Sequence, residues 1–241
     1  MSLMHRMKTL RIPPARLFRC LLAIGCLAWL VPIAYAHNVS PANANFVAGV
    51  DSVEVALFVY LGAKHMVTGF DHLLYLFGIL FWVRTWRDAV VFVSLFALGH
   101  SVTLIAGVSA GWQVNASLVD ALIGFSILYK AMENVGGFKL LFGVQPYVRV
   151  AVLGFGLIHG LGLATKLQAV YNGGEGFLVN LLSFNLGVEL GQLCALALLL
   201  LLINGLRSVG MQSQGFGVNL GLMSCGATLV IYHLTQIQLG A

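Results

Sequence analysis

From residue 53 to residue 238 the chain is a succession of apolar stretches separated by short polar breaks: 53–83, 89–110, 116–132, 148–167, 177–206 and 216–238. About 20 apolar residues cross a bilayer, so five of the six are read as one crossing each. The first is longer and is interrupted by Lys64, His65, Gly69, Asp71 and His72. It makes either two crossings, or one crossing preceded by an interfacial or re-entrant piece. The pattern predicts an all-α, polytopic transmembrane helix bundle occupying residues 52–241.

The charges between the stretches set an orientation. Arg84 and Arg87 lie in one connection, Lys139 and Arg149 in or beside the next but one, and Arg207 in the next but one again. The alternate connections, 111–115 and 168–176, carry only Glu175. The positive-inside rule puts the Arg/Lys connections in the cytoplasm. With the chain outside the membrane at residue 37, the segment 52–84 must then cross an odd number of times. The expectation is one crossing by about residues 67–84, with 52–66 in the outer leaflet or folded inward, and six crossings in total. Seven is the alternative.

Composition agrees and excludes other classes. Of 241 residues, 59% are hydrophobic and 9% charged, against about 25% charged in a soluble domain. A water-soluble domain, a disordered chain and a disulfide scaffold are all excluded. The formal charge of +5 suggests nucleic acid until its location is considered. Arg6, Lys8, Arg11, Arg16 and Arg19 precede an apolar run from residue 17 to residue 33 and then Ala34-Tyr35-Ala36. Basic, apolar and small segments in that order form a secretory signal peptide over residues 1–36, the alternative being an uncleaved signal anchor. Beyond it stand eight Lys/Arg against eight Asp/Glu, so no nucleic-acid partner is indicated. Residues 37–51 form a short periplasmic segment. Cys20 and Cys26 leave with the signal, and Cys194 and Cys225 lie in apolar runs, where cysteine acts as a small hydrophobe.

Ionisable side chains inside a bilayer are costly and usually face a site. Here they are His65, Asp71, His72, His100, Asp120, His159 and Glu189, accompanied by Ser101, Thr103, Asn185 and Gln192. At about 1.5 Å of rise per residue, most lie roughly 8–20 Å from the same membrane face. A shared depth suggests one site, open to the outside, in the outer half of the bilayer. Imidazole with carboxylate suits divalent first-row metals such as nickel, zinc, iron or cobalt, and the lack of thiolates disfavours Cu(I). The expected metal-ligating set is His65, Asp71, His72, His100, His159 and Glu189, supported by Ser101, Asp120, Asn185 and Gln192.

His65 and His72 are two turns apart, about 10 Å on a straight helix, too far to chelate one ion. Either the helix breaks near Gly69 or the two serve successive positions on a pathway. Asp71 is placed to hold the His72 ring. His233, near a span end with no acid nearby, is read as structural. Lys130, Glu133 and Asn134 at the cytoplasmic end of their helix fit an interfacial cap and an exit site equally well. Gly156/Gly160 and Gly187/Gly191 bracket His159 and Glu189, and such spacing lets helices approach closely. An internal echo, Phe96-Ala-Leu-Gly-His100-Ser against Phe155-Gly-Leu-Ile-His159-Gly, suggests two parallel helices each carrying a mid-span histidine.

Five ordered motifs resemble the HupE/UreJ family: His65-x5-Asp71-His72-Leu-Leu, Gly99-His100-Ser101-x-Thr103-Leu104, Asp120-Ala-Leu-Ile-Gly-Phe-Ser126, Phe155-Gly-Leu-Ile-His159-Gly-Leu-Gly, and Phe184-Asn-Leu-Gly-Val-Glu189-Leu-Gly-Gln192. The resemblance covers nearly all of the mature chain. It implies a bacterial inner-membrane permease for nickel or cobalt, linked to metal supply for hydrogenase or urease. It carries the family's His-x5-Asp-His element onto His65, Asp71 and His72. The family's second signature, Phe-His-Gly-x-Ala-x-Glu, reads Ile158-His159-Gly160-Leu161-Gly162-Leu163-Ala164 here, without the acid. Asp120 stands where Glu is expected.

Three functions follow from this. The first is a secondary carrier for a divalent metal, Ni2+ or Co2+ with Zn2+ as an alternative, with the ion as substrate and no permanently bound cofactor. It fits a polar layer in a bundle that has no Walker A or Rossmann fingerprint. The second is an intramembrane zinc-dependent hydrolase, favoured by Ser101 beside His100. The third is a non-transporting accessory protein or metal sensor. Cleavage after Ala36 would also make His37 the first residue, pairing an α-amino group with an imidazole as an outer capture point. A free α-amine has a pKa of about 7.7–8.0 and imidazole one of about 6.5, so both can act as deprotonated ligands around neutral pH.

Overall fold

The computed structural model describes residues 52–81, 83, 85–169, 176–208 and 215–239. The signal segment, His37, Arg84 and Glu175 lie outside the described residues. Within them the chain is helical, in eight helices with no strand: α1 (Val55–Thr68), α2 (Phe70–Leu80), α3 (Trp86–Ser109), α4 (Ala116–Asn134), α5 (Gly137–Phe142), α6 (Val148–Gln168), α7 (Phe177–Ser208) and α8 (Gly215–Leu239).

Local chemistry sets the helix ends. Thr85 caps α3, its hydroxyl oxygen accepting from the Asp88 amide at 3.2 Å and donating to the Asp88 carboxylate at 2.6 Å. Asn115 caps α4 by accepting from the Leu118 amide at 2.9 Å. Gly136 and Gly143, at φ 73° and 74°, adopt the left-handed turns that start and stop α5. Asn180, fully buried, donates to the Ser52 carbonyl and accepts from the Glu54 amide, fixing the entry of α1 against the first turn of α7.

α3, α6, α7 and α8 are each long and apolar enough to cross a membrane. Large side chains such as Leu98, Leu193 and Leu201 are 56%, 59% and 70% exposed. That outward apolar surface is unfavourable in water and suited to lipid, so this is a membrane protein.

The helices associate chiefly as three pairs, α1 with α7, α3 with α6 and α4 with α8. In lipid, small residues at the crossings supply the close packing that burial from water supplies elsewhere. A Cβ on Gly62 would strike the backbone of Phe184 and Val188, and one on Gly187 that of Val59. Gly99 lies against Leu153 and Leu157, Gly156 against Phe96, and Gly160 against His100. Gly124 and Gly226 seat α4 on α8.

These contacts advance together along α1 and α7 and along α3 and α6, so both pairs run parallel. α4 and α8 are antiparallel, with Asn134 bonded to Asn219 at 2.9 Å. The two echoing motifs thus sit side by side on α3 and α6. α1 and α2 are one path broken at Gly69, whose ψ of 98° leaves the helical range. α2 ends where α4 ends, the Asn134 amide donating to the Gly78 carbonyl at 2.8 Å.

Candidate metal centre

The break at Gly69 builds the centre. On a straight helix His65 and His72 would stand two turns apart. With α1 ended at Thr68 and α2 restarted at Phe70, their ring centroids are 5.3 Å apart. A side chain would not fit at the break, because a Cβ on Gly69 would lie 2.9 Å from the His65 carbonyl and 3.0 Å from His72 Nδ1. Glycine is required there by close approach, not by backbone angle, since its φ is −69°. The negative end of the α1 dipole also terminates at the centre, which favours a cation there.

His72 is the hub. Its ring centroid lies 4.7 Å from that of His159 and 5.8 Å from that of His100. Ligand nitrogens of His65, His72 and His100 all lie within 4.8 Å of one another. Two nitrogens bound to one ion at about 2.0–2.1 Å can be at most about 4.2 Å apart. An ion would therefore need to draw the rings in by little more than half an ångström. His72, His100 and His159 are all buried, at 2%, 0% and 0% exposure. Phe96 and Tyr75 wall the centre, with Phe96 5.0 Å from the His159 ring and Tyr75 5.6 Å from it.

Hydrogen bonds set the tautomers. The Asp71 carboxylate accepts from the His72 amide at 2.6 Å and contacts His72 Nδ1 at 2.7 Å. A neutral His72 therefore carries its proton on Nδ1 and its lone pair on Nε2, the arrangement in which a carboxylate orients a metal-binding imidazole. Ser126 Oγ donates to the Ile123 carbonyl at 2.6 Å and lies 3.2 Å from His159 Nε2. With its proton committed, Ser126 accepts from His159 Nε2–H, which places the lone pair of a neutral His159 on Nδ1. Neither ring nitrogen of His100 has a hydrogen-bond partner among the described residues. A buried imidazole left without partners is costly, and a metal ion would satisfy it.

The remaining polar residues lie around this core or away from it. Ser101 Oγ, next in sequence to His100, is buried without a hydrogen-bond partner among the described residues. Asp120 is ion-paired to Lys166 of α6 at 2.8 Å, so its charge is answered there. Asn185 and Gln192 are buried on α7, while Glu189 between them is exposed and faces a groove against α3. Glu189 stands outside the three-histidine group. His233 is on α8 with its ring 5.0 Å from Tyr232, also outside that group. At the far ends of α2, α4 and α8, Lys130 contacts Glu133, whose carboxylate also accepts from Gln145 at 2.9 Å.

Sequence reasoning did not single out Ser126 as a partner of His159, or Lys166 as the partner of Asp120. Both pairings join α4 to α6, and no periodicity within one helix reveals them. An isolated Lys in an apolar run was nonetheless a signal that an acid must lie near it.

A helical membrane protein with clustered, buried imidazoles offers a nitrogen donor set that could hold a metal ion. In keeping with this, the HupE / UreJ protein family matches residues 42–236, and the chain belongs to that family. Neither a curated protein nor a solved structure matches it. The family is associated with nickel- and cobalt-related transport or accessory function, with urease and hydrogenase roles, and not with catalysis.

The Asp71–His72 bond makes a first prediction. Asp71→Asn should shift the His72 tautomer and weaken metal binding by about 10–100-fold, the usual cost of losing an outer partner. Nickel titration of the purified variant against wild type measures it, and equal affinities would show that Asp71 does not orient the ring.

Proposed function

We propose that this chain is a permease that admits a divalent transition metal, nickel or cobalt, across the inner membrane through the histidine centre. The observation that carries this reading is His100, a fully buried imidazole with neither nitrogen hydrogen-bonded among the described residues, beside His65 and His72. A hydrolase would need an activated serine or water. The nearest serine bonded to a histidine, Ser126, instead gives its proton to a backbone carbonyl. The donor set of imidazoles with one orienting carboxylate favours nickel, cobalt or zinc over harder ions. Delivery to hydrogenase or urease maturation is the use that the family suggests.

The proposed topology has six crossings: α1 with α2 as one broken span, then α3, α4, α6, α7 and α8. The mature N-terminus lies in the periplasm. α1 and α2 cover residues 55–80, enough for one passage of a core about 30 Å thick. Their packing along α7 and α4 supports a single direction of travel. Single cysteines at Gln113 and Asn172 should react with an impermeant maleimide from outside, while those at Trp86 and Gln145 should be spared. The reverse pattern would invert the topology.

The function is tested by nickel-63 accumulation in cells expressing the full chain. Uptake should saturate with external nickel and compete with cobalt. Accumulation no greater than in cells lacking the chain would end the permease reading.

A further inference from the structure

Glu189 presents the opposite chemistry from the histidine centre. It projects from α7 into a groove of about 330 Å3 against α3, lined by Val93, Ser94, Ala97, Leu98, Gln192 and Leu193. Its neighbours at i−4 and i+3 are buried amides, Asn185 at 8% and Gln192 at 1% exposure. The Asn185 amide nitrogen donates to the Glu189 carboxylate at 3.3 Å, and the Gln192 nitrogen donates to the Val93 carbonyl at 3.0 Å. Both amides are thereby oriented with their oxygens left over. Asn185 Oδ1 and Gln192 Oε1 are buried with no hydrogen-bond partner among the described residues.

An exposed carboxylate within a lipid-facing helix is costly unless its charge is answered. No basic side chain lines this groove. What lines the groove beside the carboxylate is oxygen: the Gln192 side chain, whose Oε1 has no donor among the described residues, and the Ser94 hydroxyl. Oxygen donors without imidazole or thiolate suit hard cations, not the softer transition metals. A single carboxylate balances one positive charge.

The geometry points to a second site, in which Glu189, with the oxygens of Gln192 and Ser94, binds a small monovalent cation that is separate from the metal cargo. Sodium and hydronium share this oxygen-coordinated chemistry. The groove lies against residues 93–98 of α3, and His100 follows within a turn or two of the same helix. A cation bound there acts electrostatically on the metal held by His100, which would couple movement of the two ions. The coupling role rests on the permease reading, but the binding site itself does not.

The test uses the purified full chain. Sodium-22 and nickel-63 binding are measured separately, and the protein is then reconstituted into vesicles with an imposed sodium or pH gradient. One gradient should raise initial nickel-63 uptake at least fivefold, and the gradient that does so identifies the cation. In Glu189→Gln that stimulation should vanish, together with any sodium-22 binding, while nickel-63 binding stays within twofold of wild type and reports a folded protein. Gln192→Leu should weaken the stimulation in the same direction. Loss of nickel binding in Glu189→Gln would place the residue in the histidine centre and overturn the second site. Absence of sodium binding together with no response to either gradient would overturn it as well. Sodium binding that depends on Glu189 in a protein that binds no nickel would uphold this site and defeat the permease reading.

Discussion

Replacing His100 by alanine is expected to lower nickel uptake by more than about 100-fold, with normal amounts of protein in the membrane. Removing an outer partner of a ligand already costs about 10–100-fold, and His100 is the ring whose nitrogens have no other described partner. His72→Ala removes the hub and should be as severe. His159→Ala also leaves Ser126 without the ring beside it, at 3.2 Å, and should fall in the same range. His233→Ala is the control, because it lies on α8 outside the group, and uptake should stay within twofold. Initial rates of nickel-63 uptake, normalised to immunoblotted protein, make the comparison. Equal effects from all four substitutions would remove the support for the centre.

Much of this was legible in the chain because lipid simplifies the code. Long apolar runs announce helices without competition from strands, and each ionisable residue inside them stands out against its cost. The three histidines that come together were conspicuous for that reason. The glycine pairs foretold tight crossings, and the echo between residues 96–101 and 155–160 corresponds to two parallel helices in contact. Depth was the readable coordinate and azimuth was not. Counting residues from a membrane face places Asp120, Glu189 and His100 in one layer, but it does not say which way each one points. Asp120 turns to Lys166 and Glu189 turns to the groove beside α3.

The break at Gly69 shows a second limit of the sequence. His65 and His72 are separated by two turns, and only an interruption between them unites their rings. The sequence offered a glycine at the right place, yet glycine is common in membrane helices. At the break a Cβ on residue 69 would lie 2.9 Å from the His65 carbonyl and 3.0 Å from His72 Nδ1, so the position takes glycine. Nothing in the residue pattern separates a glycine that breaks a helix from one that only packs, so it left both a broken helix and a two-step pathway open.

Gly160→Leu is expected to be the most destabilising single substitution in the α3–α6 pair, and Gly154→Leu on the same helix should be nearly silent. A Cβ at residue 160 would collide with the His100 carbonyl oxygen and Thr103 Oγ1, with the His100 carbonyl carbon only 2.8 Å away. Backbone cannot yield as a side-chain tip can, so the two helices must separate. Thr103 Oγ1 also donates to the Leu157 carbonyl at 2.7 Å across the crossing, and that bond would be lost with the contact. Overpacking costs about 1–3 kcal/mol, and a leucine driven against backbone belongs at or above the upper end. At about 2–4 °C per kcal/mol for a chain of this size, Tm should fall by about 6–12 °C. A Cβ at Gly154 meets nothing within 4 Å, so that variant should melt within about 2 °C of wild type. Thermal unfolding of the detergent-solubilised proteins measures the difference. Nickel affinity should fall with Tm in Gly160→Leu, because His159 and His100 flank the point where the helices touch. If both leucine variants melt together, the close crossing of α3 and α6 does not exist, and neither does the placement of His159 beside His72 that depends on it.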